Sequence, residues 1–224
     1  MIYSPAWVHG GFGDTWMCVN FLLRESEKTL NPVYIGYHKN KKWNQDQSQL
    51  YVRLAGCLST NGRLALVDDP PTAELTYLEH FGSPYLPTAR GHVRGASRNF
   101  TYQFNGNYNS YLKNMSRADE ESVIRSLVRL GLTPIDVGGP LAIERKIRLM
   151  SEAAFHVGVE SGMAHVAISV GMPVYIILNR VNFHDVRSLY YNRGLNYTFF
   201  QYPGDFLEFI RRTRQRIGPA IPLV

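Results

Sequence analysis

The chain has 224 residues, 45% of them hydrophobic and 19% charged. That balance supplies a packed core, excludes a disordered chain and argues against a coiled coil. Lysine and arginine number 24 against 18 acidic residues, a net charge of +6, and from Arg180 onward seven arginines stand against three acidic residues, so this stretch holds +4 of the excess. A basic surface suits an anionic ligand, a nucleic acid or an acidic membrane face, but for this tail a solvated basic helix is the favoured reading. The two cysteines, Cys18 and Cys57, are too few and too widely spaced for a zinc site or a disulfide framework. Met1–Pro5 has no signal-peptide pattern, and no apolar run reaches membrane-spanning length. The expectation is a cytoplasmic protein in a reducing compartment, with no membrane span and no metal or cofactor.

In chain order, Ile2–Val8 reads as a strand, followed by the glycine-rich loop His9–Asp14. Thr15–Leu30 reads as a helix, with Trp16, Val19, Leu22, Leu23 and Leu30 near a 3.6-residue stripe. Pro32–Tyr37 is a second strand, Gln47–Leu58 a second helix, and Arg63–Val67 a third strand that ends at Asp68-Asp69-Pro70-Pro71, a turn rather than a metal site. Such alternation predicts parallel pairing with right-handed crossovers. Pro70–Arg98, rich in proline, glycine and basic residues, reads as a linker or a cleft-lining loop, with a short helix over Leu75–Phe81.

A second series follows. Phe100–Phe104 is a strand, Asn105–Lys113 a polar loop, and Asp119–Leu130 a helix with Gly131 as its C′ residue. Thr133–Val137 is a strand, Leu141–Ala153 a helix and Phe155–Val159 a strand. Gly162–Val170 is a short helix, Val174–Leu178 and Tyr197–Gln201 are strands, and Asp205–Arg216 is a closing helix. The fold expectation is α/β: two small Rossmann-like units facing a cleft, residues 1–90 and 91–224.

Two segments can carry chemistry. In Gly10-Gly11-Phe12-Gly13-Asp14, a glycine-rich turn from strand into helix brings backbone N–H groups towards an anion at the positive end of the helix dipole. It is neither G-x-G-x-x-G nor a P-loop, and taken alone it is satisfied by a tight turn with Asp14 as N-cap. In Glu160-Ser161-Gly162-Met163-Ala164-His165, a strand ends at the edge where open α/β sheets bind ligands. Ser161 can cap the helix, Gly162 leaves its first N–H groups uncovered, and His165 is the one polar feature in the opening turn of an otherwise apolar helix. Together they can hold a diphosphate. Asn105, Asn107 and Lys113 follow the first strand of the second series, where a lysine can meet a phosphate or simply solvent. His156, inside a strand, reads as a core residue.

These two segments together resemble the heptosyltransferase-like glycosyltransferases of GT-B fold. Gly10–Asp14 is similar to that family's Gly-Gly-x-Gly-Asp entry loop. Ile147–Ile177, with Glu160-Ser161-Gly162-Met163-Ala164-His165, Gly171 and Pro173, is similar to its donor-site segment, with Glu160 where the family usually has Asp. The resemblance implies a metal-independent transferase that moves a sugar from a nucleotide diphosphate-sugar to an acceptor, which is a glycan, a small molecule or a nucleic acid. It implies a donor site that includes Met163, with Ser161, Gly162 and His165 on the diphosphate, Lys113 and Asn105 assisting, and Glu160 on the sugar or ribose. Gly11 and Gly13 line the entry loop, and Asp14 across the cleft is the general base. The chain is shorter than members of that family, mainly in its N-terminal half, which leaves a non-catalytic nucleotide or nucleotide-sugar binder as the alternative. A nucleic-acid reading rests on Arg90, Arg94, Arg98 and the basic tail, with some of the 14 tyrosines stacking on bases.

Overall fold

The computed structural model describes residues 2–3, 11–37, 42–69, 75–76, 85–93, 97–106, 110–181 and 196–217. They form two parallel sheets. The first contains β1 (Ile2–Tyr3), β2 (Val33–Tyr37), β3 (Leu64–Asp68) and β4 (Leu75–Thr76) in the order β3-β2-β1-β4, joined by helices α1 (Phe12–Thr29) and α2 (Lys42–Ala55). The second contains β5 (Asn99–Gln103), β6 (Thr133–Asp136), β7 (Phe155–Val159), β8 (Val174–Ile177) and β9 (Tyr197–Phe200) in the order β6-β5-β7-β8-β9. Its helices are α3 (Ser110–Lys113), α4 (Arg117–Val128), α5 (Ile143–Ser151), α6 (Gly162–Val170) and α7 (Pro203–Ile217). Within these two sheets every described pairing is parallel, from Ile2 opposite Tyr34 in the first to Phe100 opposite Phe155 in the second, while the isolated bridge of Leu58 with Thr88 is antiparallel. The expected α/β fold of two Rossmann-like units is the one found.

Each sheet reverses its strand order once, between β1 and β4 in the first and between β5 and β7 in the second. Such switch points open a crevice beyond the carboxyl ends of the strands. The Gly11–Asp14 segment follows β1, Gln103 ends β5, and Glu160 follows β7. Both candidate segments therefore stand at a switch point.

Helix α6 explains the packing. Apart from His165 and Ser169 it is apolar, and Met163–Val170 are all buried, because one face meets its own sheet and the other meets α1. A single cluster joins Trp16, Leu22 and Leu54 of the first unit to Val166, Val170 and Met172 of the second. The Trp16 indole N–H donates to Ser169 Oγ at 3.0 Å across the same seam. A separate core of Phe100, Phe155, Phe206 and Ile210 lies under α4 and α7.

Residues 85–93 are a strap bonded to both units. The Ala89 N–H donates to the Cys57 carbonyl and the Ser59 N–H to Pro87, whereas Thr88, His92 and Val93 donate to Ser169, Val170 and Ser151. Buried Asn20 on α1 accepts from the Leu86 N–H at 2.6 Å. Residues 85–93 of the proline-rich stretch thus run over the seam as a bonded segment.

Several expectations need correction. Leu75–Thr76, expected to start a helix, is strand β4, because the extended pair completes the sheet beside β1; residues 77–81 lie outside the described residues, as do residues 4–8 of the first predicted strand. Ser110–Lys113, read as loop, is the short helix α3. Leu30, read as part of the apolar stripe, is the left-handed C-cap of α1 with φ 56° and is 90% exposed. Gly131 is the C′ residue of α4 as expected: at φ 83° its N–H meets the Val128 carbonyl while Leu132 reaches back to Leu127, the Schellman pattern.

Candidate functional site

A cleft of about 630 Å³ lies between the two units. From the first unit it takes the opening turn of α1 (Gly11–Asp14) with Leu50 and Arg53 of α2; from the second come Gln103, Lys113, Lys146 and the Glu160–Met163 turn with His165. Nine of the ten candidate residues line it. Asn105 does not: its side-chain amide donates to Glu120 Oε2 on α4 at 3.3 Å. Asn107 lies outside the described residues.

Asp14 is not the N-cap. Helix α1 starts at Phe12 with Gly11 as N-cap in an extended conformation, which places Asp14 in the first turn, facing the cleft. The helix therefore begins three residues earlier than the apolar stripe suggests. Ser161 is the N-cap of α6, but its hydroxyl does not cap: it donates to Gln103 Oε1 at 2.7 Å. Both helices thus open on the cleft without a side-chain cap.

Below the α6 turn is a buried polar chain. The Lys113 ammonium pairs with Glu160 Oε2, and Glu160 Oε1 lies 3.5 Å from His165 Nε2. On the other side of the ring, His165 Nδ1 is 2.5 Å from the Tyr85 hydroxyl. Glu160 and His165 are 3% and 2% exposed. Burial alone would raise the Glu160 carboxyl, but the hydrogen bond from His165 and the Lys113 ammonium beside it hold it at about 2. It is therefore a carboxylate at neutral pH. Lys146 of α5 also faces the cleft; burial lowers its ammonium, opposed by the charge of Asp136.

Sequence reasoning missed Gln103, Lys146 and Tyr85. Gln103 closes the first strand of the second unit, so its place at a strand's carboxyl end was available as a signal. Nothing local marks Tyr85, which sits 80 residues from His165 in the proline-rich stretch. The basic residues are partly engaged: Arg90 meets Glu152, and Arg211 and Arg212 both meet Glu208. Arg94, Arg187 and Arg193 lie outside the described residues. His156 is buried and bonded to Thr101, and burial pushes its imidazole down to about 3, a neutral core histidine as expected.

With Lys113 and the Glu160–His165 turn in place on one wall of the cleft, the family signal falls on that wall. Residues 103–178 match the sequence model of glycosyltransferase family 9 (heptosyltransferase). The match runs from the end of β5 to just beyond β8, so the resemblance read from the Glu160–His165 motif is borne out for this segment. No curated protein matches the chain.

The fold is similar to that of the dodecameric iron-containing heptosyltransferase TibC in complex with ADP-D-beta-D-heptose, at a TM-score of 0.52 and 14% identity, covering 87% of this chain and 61% of that one. A second structure, the iron-containing dodecameric glycosyltransferase TibC from enterotoxigenic E. coli H10407, matches at a TM-score of 0.47 and 14% identity, over 79% of this chain and 57% of that one. The chain thus spans about three-fifths of the length of these structures. Both are described as iron-containing. Among the described residues of this chain, no group of three or more His, Cys, Asp or Glu is placed to hold a metal ion, and Cys18 and Cys57 are buried. No described helix is long and apolar enough to cross a membrane.

Proposed function

We propose that the protein is a glycosyltransferase that moves a sugar from a nucleoside diphosphate-sugar to an acceptor hydroxyl. The observation that carries this reading is the meeting of two motifs distant in sequence: the Gly11–Asp14 turn and the family-9-like Glu160–His165 turn open on one cleft. In this reading residues 1–90 form the acceptor-side unit and residues 91–224 the donor-side unit.

The diphosphate lies at the uncapped start of α6, where the N–H groups after Ser161 and Gly162 and the helix dipole favour an anion. Lys113, and Lys146 from α5, add positive charge, while Met163 supplies an apolar wall. Glu160, whose oxygens face Lys113 and His165, acts by orienting those two groups rather than by touching the sugar or ribose. Asp14 accepts the proton of the acceptor hydroxyl as its oxygen bonds to the anomeric carbon. The bond from that carbon to the diphosphate breaks, and its electron pair leaves on the phosphate oxygen. The charge that develops there falls among donors already in place, so no metal ion takes part in the reading.

A thermal-shift panel of nucleoside diphosphates and their sugars tests the donor half, since a ligand of the folded state alone raises the melting temperature. Product formation with a responding donor, with and without a chelator, tests the rest. A protein that binds a donor but neither transfers the sugar nor hydrolyses it is a binder, not a transferase.

A further inference from the structure

Tyr85 lies outside both motifs and outside the family match, yet its hydroxyl meets His165 of the second motif. Tyr85 belongs to the strap over the seam, where its carbonyl accepts from Arg24 at 3.0 Å and its neighbour Leu86 is tied to Asn20. Its ring meets the His165 imidazole edge-on, with centroids 5.8 Å apart and planes at 72°. Both side chains are nearly closed to solvent.

The direction of the hydrogen bond follows from the other end of the chain of groups. Glu160, as a carboxylate paired with Lys113, accepts and cannot donate. The His165 nitrogen that faces it, Nε2, therefore carries a hydrogen. In a neutral imidazole the opposite nitrogen, Nδ1, is then a bare acceptor, and the Tyr85 hydroxyl beside it is the donor.

We propose that Tyr85 is a positioning residue for His165: its hydroxyl donates to Nδ1 and holds the imidazole as the tautomer whose Nε2–H is turned towards Glu160 and the cleft. The ring then offers a fixed N–H donor, not a lone pair, beside the start of α6. A lone pair there would repel an anion, whereas an N–H attracts it. Because Tyr85 comes from the strap that bonds both units, the donor at His165 is set by the same segment that joins the halves.

The effect on ligand binding rests on the donor-site reading above; the tautomer does not. The test uses the full chain with 15N-labelled histidine near neutral pH, with His165→Gln to assign the His165 signals. In the wild type, Nδ1 is expected to resonate as an unprotonated acceptor and Nε2 as a protonated nitrogen. Tyr85→Phe keeps the ring packing and removes the donor, so the His165 pattern should move towards a mixture of tautomers. Calorimetry with ADP, GDP and UDP should show the best wild-type ligand bound roughly threefold to tenfold more weakly by Tyr85→Phe.

A wild-type His165 protonated on Nδ1, or on both nitrogens, overturns the proposal. So does an unchanged tautomer in Tyr85→Phe, whatever happens to affinity, because the tyrosine would then act through packing. If the tautomer shifts but none of the three nucleotides binds the wild type, the proposal stands and the donor reading falls.

Discussion

Gly13 and Gly162 face each other across the seam between the two units. A β-carbon on Gly162 would stand 2.9 Å from the Gly13 backbone nitrogen and 2.7 Å from the Phe12 ring; one on Gly13 would stand 3.0 Å from His165 Cδ2 and 3.3 Å from the Gly162 Cα. The glycines of the two motifs are thus needed where they touch, because backbone cannot rotate aside as a side chain does. Gly162→Ala is expected to push α1 and α6 apart and to cost about 1–3 kcal/mol, read as a lower denaturant midpoint. Gly139→Ala, with no neighbour within 4 Å, should stay within about 0.5 kcal/mol of wild type.

Asp14 lies in the first turn of α1 while Gly11 is the N-cap, so its loss separates chemistry from helix stability. Asp14→Asn should cost only about 0.3–1 kcal/mol, the interaction of a carboxylate with the helix dipole. Donor affinity should be retained while transfer falls ~10²–10⁴-fold, the usual worth of a general base. Full transfer activity in this variant would remove Asp14 from the mechanism; an equal loss of donor affinity would make it a binding group.

The core cluster that runs from Trp16 and Leu54 to Val166 and Met172 makes each unit part of the other's interior. The two sheets should therefore unfold together. Tryptophan fluorescence and far-ultraviolet circular dichroism are expected to give coincident denaturant transitions. Two separated transitions would mean that the α1–α6 seam contributes little to stability.

Acid stability should fall in two windows. The buried His156 imidazole is held at about 3 against an unfolded value near 6.5. As pH falls below ~6.5 the unfolded chain therefore binds one more proton than the folded one, and stability drops by up to ~1.4 kcal/mol per pH unit. Glu160, held at about 2, adds a second loss as pH falls from about 4.5 towards 2. His156→Gln should flatten the upper window, and Glu160→Gln should weaken the lower one while leaving the upper in place. Glu144 and Glu208 also lie low, but in exposed pairs that solvent screens, so they add little.

Most of the fold was legible in the sequence because its elements carry local signals. The apolar stripe of α1, the strand Phe155–Val159 and the largely apolar helix Gly162–Val170 are patterns within a few residues, and the structure has them within three residues of the expected bounds or better for each of these. Leu75–Thr76 was not legible: a two-residue strand has no period, and its partner β1 lies over 70 residues away. Leu30 continued the stripe in sequence, yet the chain turns left-handed there and leaves it in solvent.

The candidate site divides along the same line. Which residues could do chemistry followed from the sequence alone: glycines, an acidic residue and a histidine at strand ends and helix starts, where N–H groups stand open whatever the rest of the chain does. What each of them touches was decided only by the tertiary structure. Gly162 meets Gly13, Ser161 turns to Gln103 instead of capping its helix, and Asn105 turns away to Glu120. Glu160 is enclosed between Lys113 and His165, and Tyr85 arrives from a strap 80 residues away. Such partners are selected by the packing of α1 against α6, a contact between helices about 150 residues apart in sequence, and no short-range periodicity encodes it.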